Sequence, residues 1–287
     1  MSEIENHLFE ERFGADDKSV DAREGELKYQ KISDWCILAN EEDGAMLHHA
    51  RVGIENCVWH ERYVDDIIIP YFLTSKRRKQ GRRRLPSTRT VIDVGASYGW
   101  MAVSFAKYFD EVKCFEIRRD IRHALRQNTS RFSNIEVFDH GLSSIEDNVK
   151  VCARLNSGAS RVSIRRDQDI NAPGRYTEET INRKKEGHGC VVRTLDSYNF
   201  NNVDCIKLDV EEHEYYVLIG AMETIKKWKP VLIVEISYAG KRHLSLFKPR
   251  QRIFKLLHSL GYEIVDVRGK DFIFKHTSLN HWDDLTL

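Results

Sequence analysis

Apolar residues recur along this chain in short runs that alternate with helix-spaced sets. Runs of about five apolar residues predict buried strands, and sets spaced three or four residues apart predict helices. The predicted strands are Thr90–Val94, Val112–Ile117, Asn134–Phe138, Val203–Val210 and Val231–Ile236, followed by a closing hairpin of Tyr262–Val267 and Asp271–Lys275. Strands that alternate with helices in this way form a mainly parallel sheet covered on both faces. The sequence therefore predicts an α/β fold.

Helices are predicted in the intervals between these strands. The first follows Gly99 and runs through Phe109, and the second begins at Asp120 as its N-cap. The next is expected to run unbroken to Trp228, because its apolar residues at 217, 218, 221, 222 and 225 share one face. A last helix, Pro249–Leu260, ends at Gly261.

Three stretches lie outside this alternation. Residues 1–28 are acidic and predict a loosely docked tail. Residues 29–89 predict an extension with a hairpin that turns at Asp43-Gly44, a helix over Trp59–Leu73 and a basic loop at 76–84. Within the main domain, 90–287, residues 149–153 predict an extra edge strand, and the polar insertion 157–188 predicts a mobile lid or substrate loop.

Charge and cysteine content exclude several classes of protein. The net charge is +1, so the chain as a whole does not indicate a polyanionic partner. The six cysteines are scattered without a C-x-x-C pair, which favours a reducing compartment and no structural zinc. No apolar run approaches the length of a membrane span, and the N-terminus lacks signal-peptide character. We expect a soluble cytoplasmic protein, with no prediction of its oligomeric state.

The turn between Asp93 and Trp100 is the first stretch that indicates chemistry. Gly95 and Gly99 permit a tight turn and close approach of a ligand to the backbone. Glu116 follows at the end of the next strand, about twenty residues on, where a doubly wound sheet presents an acid to a ribose. The turn lacks the G-x-G-x-x-G spacing of a dinucleotide site, which leaves S-adenosylmethionine as the better candidate. The alternative is an ordinary strand, turn and helix.

Charged residues cluster around the fourth predicted strand. Lys207 and Asp209 point to the same face, and a buried lysine needs a partner, for which Asp209 and Glu235 are the nearest candidates. Glu211 and His213 follow at the mouth of the sheet. The functional interpretation is removal of a hydroxyl proton by a carboxylate or histidine base, or by a divalent ion between carboxylates. The structural alternative is an ion pair with helix N-terminal acids.

Several of these segments together resemble the FkbM family of S-adenosylmethionine-dependent methyltransferases. They are VIDVGASYGW from Val91, FE at 115–116, TLD at 194–196, IKLDVEEHEYYVLIGA at 206–221 and IVEI at 233–236, within a match over about 55–240. The resemblance implies a class I, Rossmann-like methyltransferase fold with a seven-stranded sheet, and O-methylation of sugar or natural-product hydroxyls.

The resemblance also implies a functional role for Asp209 and Glu211, and cofactor contacts at Asp93, Gly95, Ala96, Ser97, Gly99 and Glu116. The charge and position of their neighbours add Lys207, His213 and Glu235 as catalytic candidates, and Tyr98, Asp139, His140 and Asp209 as candidates for cofactor contact. The chain departs from the family pattern at three positions: Ser97 for the usual Asn, Ile117 for Pro and Glu212 for Gly.

Two further functions stay open at this stage. An RNA ribose 2′-O-methyltransferase is suggested by the Lys207, Asp209 and Glu235 set with the basic loop 76–84, which would contact nucleic acid. That loop enters the first strand at its amino end, however, away from the carboxyl-end crevice where ligands bind. A non-catalytic module that binds the cofactor is the other alternative. The expected acceptor is a small molecule or glycan.

Overall fold

A computed structural model describes residues 29–33, 36–39, 63–72, 88–152, 161–163, 188–236 and 247–279 of the chain. The strands are β1 Tyr29–Ser33, β2 Cys36–Ala39, β3 Thr90–Val94, β4 Glu111–Phe115, β5 Ile135–Phe138, β6 Gly141–Leu142, β7 Asp147–Cys152, β8 Arg161–Ser163, β9 His188–Arg193, β10 Val203–Leu208, β11 Val231–Glu235, β12 Tyr262–Arg268 and β13 Asp271–His276. The α-helices are α1 Trp100–Phe105, α2 Arg119–Thr129, α3 Glu214–Ile219, α4 Met222–Trp228 and α5 Phe247–Ser259.

The predicted sheet is confirmed, with seven strands in the order β12-β13-β11-β10-β3-β4-β5. The five strands from β11 to β5 are parallel, while β13 and β12 run antiparallel beside them. Strand β13 lies between β11 and β12, so the turn of the closing hairpin reaches the carboxyl end of β11. This is the class I methyltransferase arrangement that the sequence predicted.

Alternate residues of each central strand enter two separate cores. Ile92, Ile206 and Leu232 belong to the core on one face of the sheet, which α3, α4 and α5 cover. Val91, Cys205 and Ile233 belong to the core on the other face, which α1 and residues 64–72 cover. Because successive side chains of a strand point to opposite faces, Asp93, Lys207 and Glu235 lie on the second of these faces.

The N-terminal extension is described only in part. Strand β2 pairs antiparallel with the preceding strand β1, and the predicted turn at Asp43-Gly44 lies outside the described residues. The predicted helix is described over residues 63–72 as a π-helical turn, Tyr63–Ile68, followed by a 3₁₀ turn, Ile69–Phe72. Pro70 lies within the 3₁₀ turn, as expected of a residue that interrupts α-helical hydrogen bonding. The acidic tail and the basic loop are also outside the described residues.

A second sheet follows β5, in the order β6-β9-β7-β8. We had expected residues 149–153 to form an extra edge strand and 157–188 to form a polar lid. Instead β7 pairs antiparallel with both β8 and β9, and β8 and the start of β9 fall within the predicted insertion. The rest of the insertion lies outside the described residues.

The helix predicted to run unbroken to Trp228 is two helices, α3 and α4, which meet at Gly220–Ala221. A Cβ atom on Gly220 would lie 1.9 Å from the carbonyl oxygen of Ser143, so close packing against this loop requires glycine. Asp196 then caps the new helix by accepting hydrogen bonds from the backbone N–H groups of Glu223 and Thr224. Continuous apolar periodicity does not reveal a break of this kind.

Among the described residues, no helix is both long and apolar enough to span a bilayer.

Candidate functional site

The glycine turn joins β3 to α1 at the carboxyl edge of the sheet. Gly95 and Gly99 both have positive φ, at 80° and 88°. The space that a Cβ of Gly95 would need is filled by the carbonyl oxygen of Asp209, 1.9 Å from the ideal Cβ position. The corresponding space at Gly99 is filled by the side chains of Leu125 and Thr129. The positive φ angles agree with the predicted tight turn, and contacts within the protein also require these glycines. Close approach of a ligand stays a prediction.

Glu116 is anchored beside this turn. One carboxylate oxygen accepts the backbone N–H of Ser97 at 3.0 Å, and the other accepts that of Arg118 at 2.8 Å. The side chain of Arg122 donates to the Glu116 carbonyl. Burial raises the pKa of Glu116, and the two backbone N–H groups oppose that rise. Each carboxylate oxygen accepts one of these bonds, so each keeps a lone pair for a further donor.

The other residues of the turn are mostly packed inward. Ala96 and Tyr98 are buried, and the carbonyl of Tyr98 accepts a hydrogen bond from Asn128. Ser97 is half-buried and has a φ of 50°, in the left-handed region. Asn is enriched in that region, which is a physical reason for the residue that the family usually has here. A cofactor contact by Ala96 or Tyr98 through its side chain stays a prediction that this packing does not favour.

Asp139 and His140 follow β5, at the same edge of the sheet as Glu116. Asp139 pairs with Arg122, whose Nε is 3.2 Å away, and with Arg126, and both arginines lie on α2. The ring of His140 lies 3.4 Å from the Tyr198 hydroxyl. Burial and the nearby Arg193 lower the pKa of His140. Arg122 thus connects Asp139 with Glu116, which places the three predicted cofactor residues Glu116, Asp139 and His140 along one side of the crevice.

Lys207 is held between two carboxylates on neighbouring strands. Its Nζ lies 3.2 Å from Asp209 Oδ2 and 3.8 Å from Asp93 Oδ1. Burial would lower the pKa of Lys207, but the charges of Asp209 and Asp93 outweigh burial and raise it. Asp93 is completely buried, and neither of its carboxylate oxygens has a hydrogen bond. A direct cofactor contact by Asp93, which the resemblance implies, is therefore a prediction that this burial does not favour.

Asp209 and Glu235 meet at the carboxyl ends of β10 and β11. Burial and a hydrogen bond with Asp209 raise the pKa of Glu235 to about 8. Burial would also raise the pKa of Asp209, but the Lys207 ammonium and the hydrogen bond from Glu235 hold it below its usual value. The pair therefore holds one proton at neutral pH, on Glu235. The Asp209 side chain is 41% exposed, at the carboxyl edge of the sheet.

Glu211 joins these two acids. Carboxylate oxygens of Asp209, Glu211 and Glu235 can all lie within 4.8 Å of one another. Hard oxygen ligands of this kind suit Mg²⁺ or Mn²⁺. Two ammonium groups already lie against the same carboxylates, however: Lys207 on Asp209, and Lys270 at 3.3 Å from Glu235. These ammonium groups offset part of the negative charge that would otherwise attract a cation.

His213 and Glu214 begin α3 but face the protein interior. His213 is 7% exposed, its Nε2 lies 3.0 Å from the Ser143 hydroxyl, and burial lowers its pKa to about 4. Its role as a base stays a prediction that this environment does not favour. Glu214 Oε1 accepts the backbone N–H groups of Val210 and Glu212 at 3.2 Å each, which fixes the loop that carries Glu211.

Sequence reasoning missed Lys270 as a member of the site. The sequence placed Gly269-Lys270 correctly in a hairpin turn, but it did not order the strands. Because β13 lies next to β11, Glu235 is directly opposite Asp271, and the turn brings Lys270 to the acids. The strand order of the class I fold, applied to this sequence, would have placed Lys270 beside Glu235.

Comparison with known sequences supplies the family. Residues 93–264, more than half of the chain, match the methyltransferase FkbM domain. The chain belongs to the FkbM methyltransferase family. No curated protein matches this FkbM-family chain in sequence.

Solved structures with similar folds are distant in sequence. An FkbM methyltransferase from Methylobacillus flagellatus is 18% identical with a TM-score of 0.44; the match covers 83% of this chain and 56% of that one. Fibrillarin from Aeropyrum pernix, with S-adenosyl-L-methionine bound, is 12% identical with a TM-score of 0.35, covering 69% and 71%. A putative RNA methyltransferase from Pyrococcus horikoshii is 14% identical with a TM-score of 0.34, covering 65% and 74%. The FkbM-family chain thus spans little more than half of the Methylobacillus protein.

Proposed function

We propose that this protein is an S-adenosylmethionine-dependent O-methyltransferase that acts on a hydroxyl of a sugar, glycan or natural-product-like small molecule. The observation that carries the proposal is the meeting of two features at one edge of the sheet. They are the anchored Glu116 at the glycine turn and the accessible Asp209, paired with Glu235. Membership of the FkbM family supports the same conclusion.

The residues at the turn fit the cofactor. An acid at the end of β4 is where this class of sheet presents a carboxylate to ribose hydroxyls. Glu116 is held in place by two backbone N–H groups and keeps a lone pair on each oxygen for those hydroxyls. Asp139 and His140 extend the same side of the crevice and remain candidates for the adenine end.

When bound, S-adenosylmethionine supplies an electrophilic methyl group on sulfonium. Asp209 is ionised at neutral pH, exposed to the crevice and oriented by Lys207, so it accepts the proton of the acceptor hydroxyl. The deprotonated acceptor oxygen would then be the nucleophile for that methyl group, with Asp209 holding the proton. Lys207 and protonated Glu235 stabilise the Asp209 carboxylate until the proton arrives. Positioning of the hydroxyl supplies much of the rate.

The charge of the crevice favours a small, non-anionic acceptor over RNA. Asp209, Glu211 and Glu235 present carboxylates at the point where the acceptor must bind. A phosphodiester backbone carries a charge at every nucleotide and gains affinity from Lys and Arg. Lys207 is already committed to Asp209 and Asp93. The RNA interpretation therefore depends on the basic loop 76–84, which precedes β3 in the chain.

Transfer of a tritiated methyl group into fractionated cell extract tests the proposal. The extract is divided into glycan, small-molecule and RNA pools, and label is expected in one of the first two. Asp209→Asn should abolish the transfer while S-adenosylmethionine still binds by calorimetry, and Glu223→Gln on the exposed surface of α4 serves as a control. Label in RNA, lost when Arg82, Arg83 and Arg84 are changed to Ser, would support the RNA function instead. Cofactor binding without label in any pool would indicate a non-catalytic module.

The same assay decides whether a divalent ion takes part. Because Lys207 and Lys270 already pair with these acids, we expect EDTA to leave methyl transfer and cofactor affinity unchanged. Loss of transfer on chelation, with recovery on addition of Mg²⁺ or Mn²⁺, would assign Asp209, Glu211 and Glu235 as ligands.

A further inference from the structure

The edge strand β12 carries an unusual share of the exposed apolar surface. It is the outermost strand of the main sheet, on the side away from β5. Among the described residues, four large hydrophobic side chains are exposed, and three of them lie on this strand: Ile264 (48%), Val265 (40%) and Val267 (44%). The outer N–H and C=O groups of an edge strand can pair with another strand, and proteins usually limit this with charge, proline, a bulge or a covering segment.

A bulge changes which residues of β12 share a face. Ile264 pairs with Phe274, and Asp266 pairs with Ile273, so Val265 is the extra residue. After the bulge, Val267 pairs with Phe272 and lies on the same face as Ile264. Glu263 and Arg268 pair with Lys275 and Asp271, which places them together on the opposite face. In a regular strand, residues 263 and 268 would lie on opposite faces because they differ by an odd number.

Because of the bulge, the outer edge of β12 is complementary to the same edge of a second copy. In an antiparallel pair of two β12 strands, related by a two-fold axis between Val265 and Asp266, directly opposite residues must share a face. Glu263 then lies opposite the partner subunit's Arg268, and Ile264 lies opposite the partner subunit's Val267. Both pairs occur twice, as an isologous interface requires. Oppositely charged and apolar cross-strand pairs are the kinds that stabilise antiparallel sheets.

The side chains are available for these contacts. Glu263 and Arg268 are exposed. Arg268 donates through Nε to Asp266 at 2.9 Å, and a guanidinium has five N–H donors, so others remain for a second carboxylate. The turn at Gly269 lies just beyond the proposed pair, so the acid site at Lys270 stays outside the joined strands.

We propose that two copies of this chain associate by antiparallel pairing of their β12 strands. This pairing joins the two main sheets into one continuous sheet. The occupant of the exposed edge is thus a second copy of the chain. This inference does not rest on the methyltransferase activity, because it uses only the pairing, exposure and charge of β12.

Sedimentation equilibrium of the full chain and its charge-reversal variants tests this proposal without any acceptor or cofactor. The wild-type mass should rise with concentration towards that of two chains. Glu263→Arg and Arg268→Glu should each weaken association by about tenfold, because two attractive pairs become repulsive. The double variant, Glu263→Arg with Arg268→Glu, should restore it. Glu223→Arg, on the exposed surface of α4, is the matched control and should associate as the wild type does.

The double variant separates the interface from effects within one chain. Glu263→Arg also places a cation beside Lys275, and Arg268→Glu places an anion beside Asp266. These internal repulsions persist in the double variant, so recovered association reports the contact between chains. Thermal unfolding of each variant checks that it is folded. A wild-type chain that stays monomeric at its highest soluble concentration, or a dimer indifferent to the single reversals, overturns the proposal.

Discussion

Glu212 occupies a backbone conformation that suits glycine better than any other residue. Its φ is 75°, and that of the preceding Glu211 is 54°, so two consecutive residues lie in the left-handed region. A side chain with a Cβ pays about 1 kcal/mol or more there. This strain accounts for the Gly that the family usually has at this position. The carboxylate of Glu212 is exposed, and the chain tolerates the strain at the mouth of the site.

Replacement of Glu212 by Gly is expected to stabilise the protein by about 0.5 to 1 kcal/mol, because relief of strain exceeds the entropy that glycine adds to the unfolded chain. Chemical denaturation measures the change. Glu212→Ala is the matched control: it removes the same carboxylate but keeps the Cβ, so it should give no gain. Equal stabilisation by Ala would show that charge, rather than backbone strain, is responsible.

Glu214 gives the protein a stability that depends on pH. Burial raises its pKa from 4.5 to about 7, so the folded state binds a proton that the unfolded state releases. Stability from this residue is fully present below pH 4.5 and is lost as the pH rises through 7. Glu214→Gln keeps an oxygen for the N–H groups of Val210 and Glu212. We expect it to unfold at higher denaturant concentration than the wild type at pH 8, by at most about 3 kcal/mol, and to match it at pH 4. Lower stability of the variant at pH 8 would contradict this.

At the scale of elements, Asp196 explains why the T-L-D segment matters to the fold. Its carboxylate accepts the N–H groups of Glu223 and Thr224 at 3.0 and 2.8 Å and the Thr224 hydroxyl at 2.7 Å. The residue thus caps α4 from a distant part of the chain. Asp196→Ala should cost about 1 to 2 kcal/mol in the free energy of unfolding. Asp196→Asn, which keeps one acceptor, should recover part of that loss, and an unchanged Ala variant would exclude the capping role.

The sheet could be predicted from the sequence because strand runs such as Val231–Glu235 are buried on both faces and therefore apolar throughout. The split between α3 and α4 could not, since it depends on contacts of Gly220 and Asp196 with distant segments. Likewise, Lys207 and Asp209 were predicted to pair from their spacing alone. Lys270 reaches the site only because β13 lies next to β11. Asp93 pairs with Lys207 because the two side chains lie on the same face of neighbouring strands.

At the scale of the whole molecule, we predict that a mutation at Glu116 affects the proposed cofactor turn alone, whereas a mutation at Gly95 affects both the turn and the acid site. Glu116→Ala removes the carboxylate that accepts the Ser97 and Arg118 N–H groups, but it leaves Asp209 and its contacts in place. We expect it to weaken S-adenosylmethionine binding by calorimetry while the labelled transfer recovers at saturating cofactor. Glu223→Ala, on an exposed helix surface, is the control. Unchanged affinity of Glu116→Ala would exclude the predicted cofactor contact.

Substitution of Gly95 is expected to act differently from Glu116→Ala. The Asp209 carbonyl occupies the space that a Cβ at position 95 would need. The Asp209 N–H also donates to the Val94 carbonyl, so this stretch of β10 is fastened to the turn from both sides. Any side chain at position 95 displaces the turn and the acid together. We therefore expect Gly95→Ala to lower both cofactor affinity and turnover. Unlike Glu116→Ala, it should not regain turnover at saturating cofactor. The two halves of the site share this backbone contact, so a substitution at position 95 perturbs both.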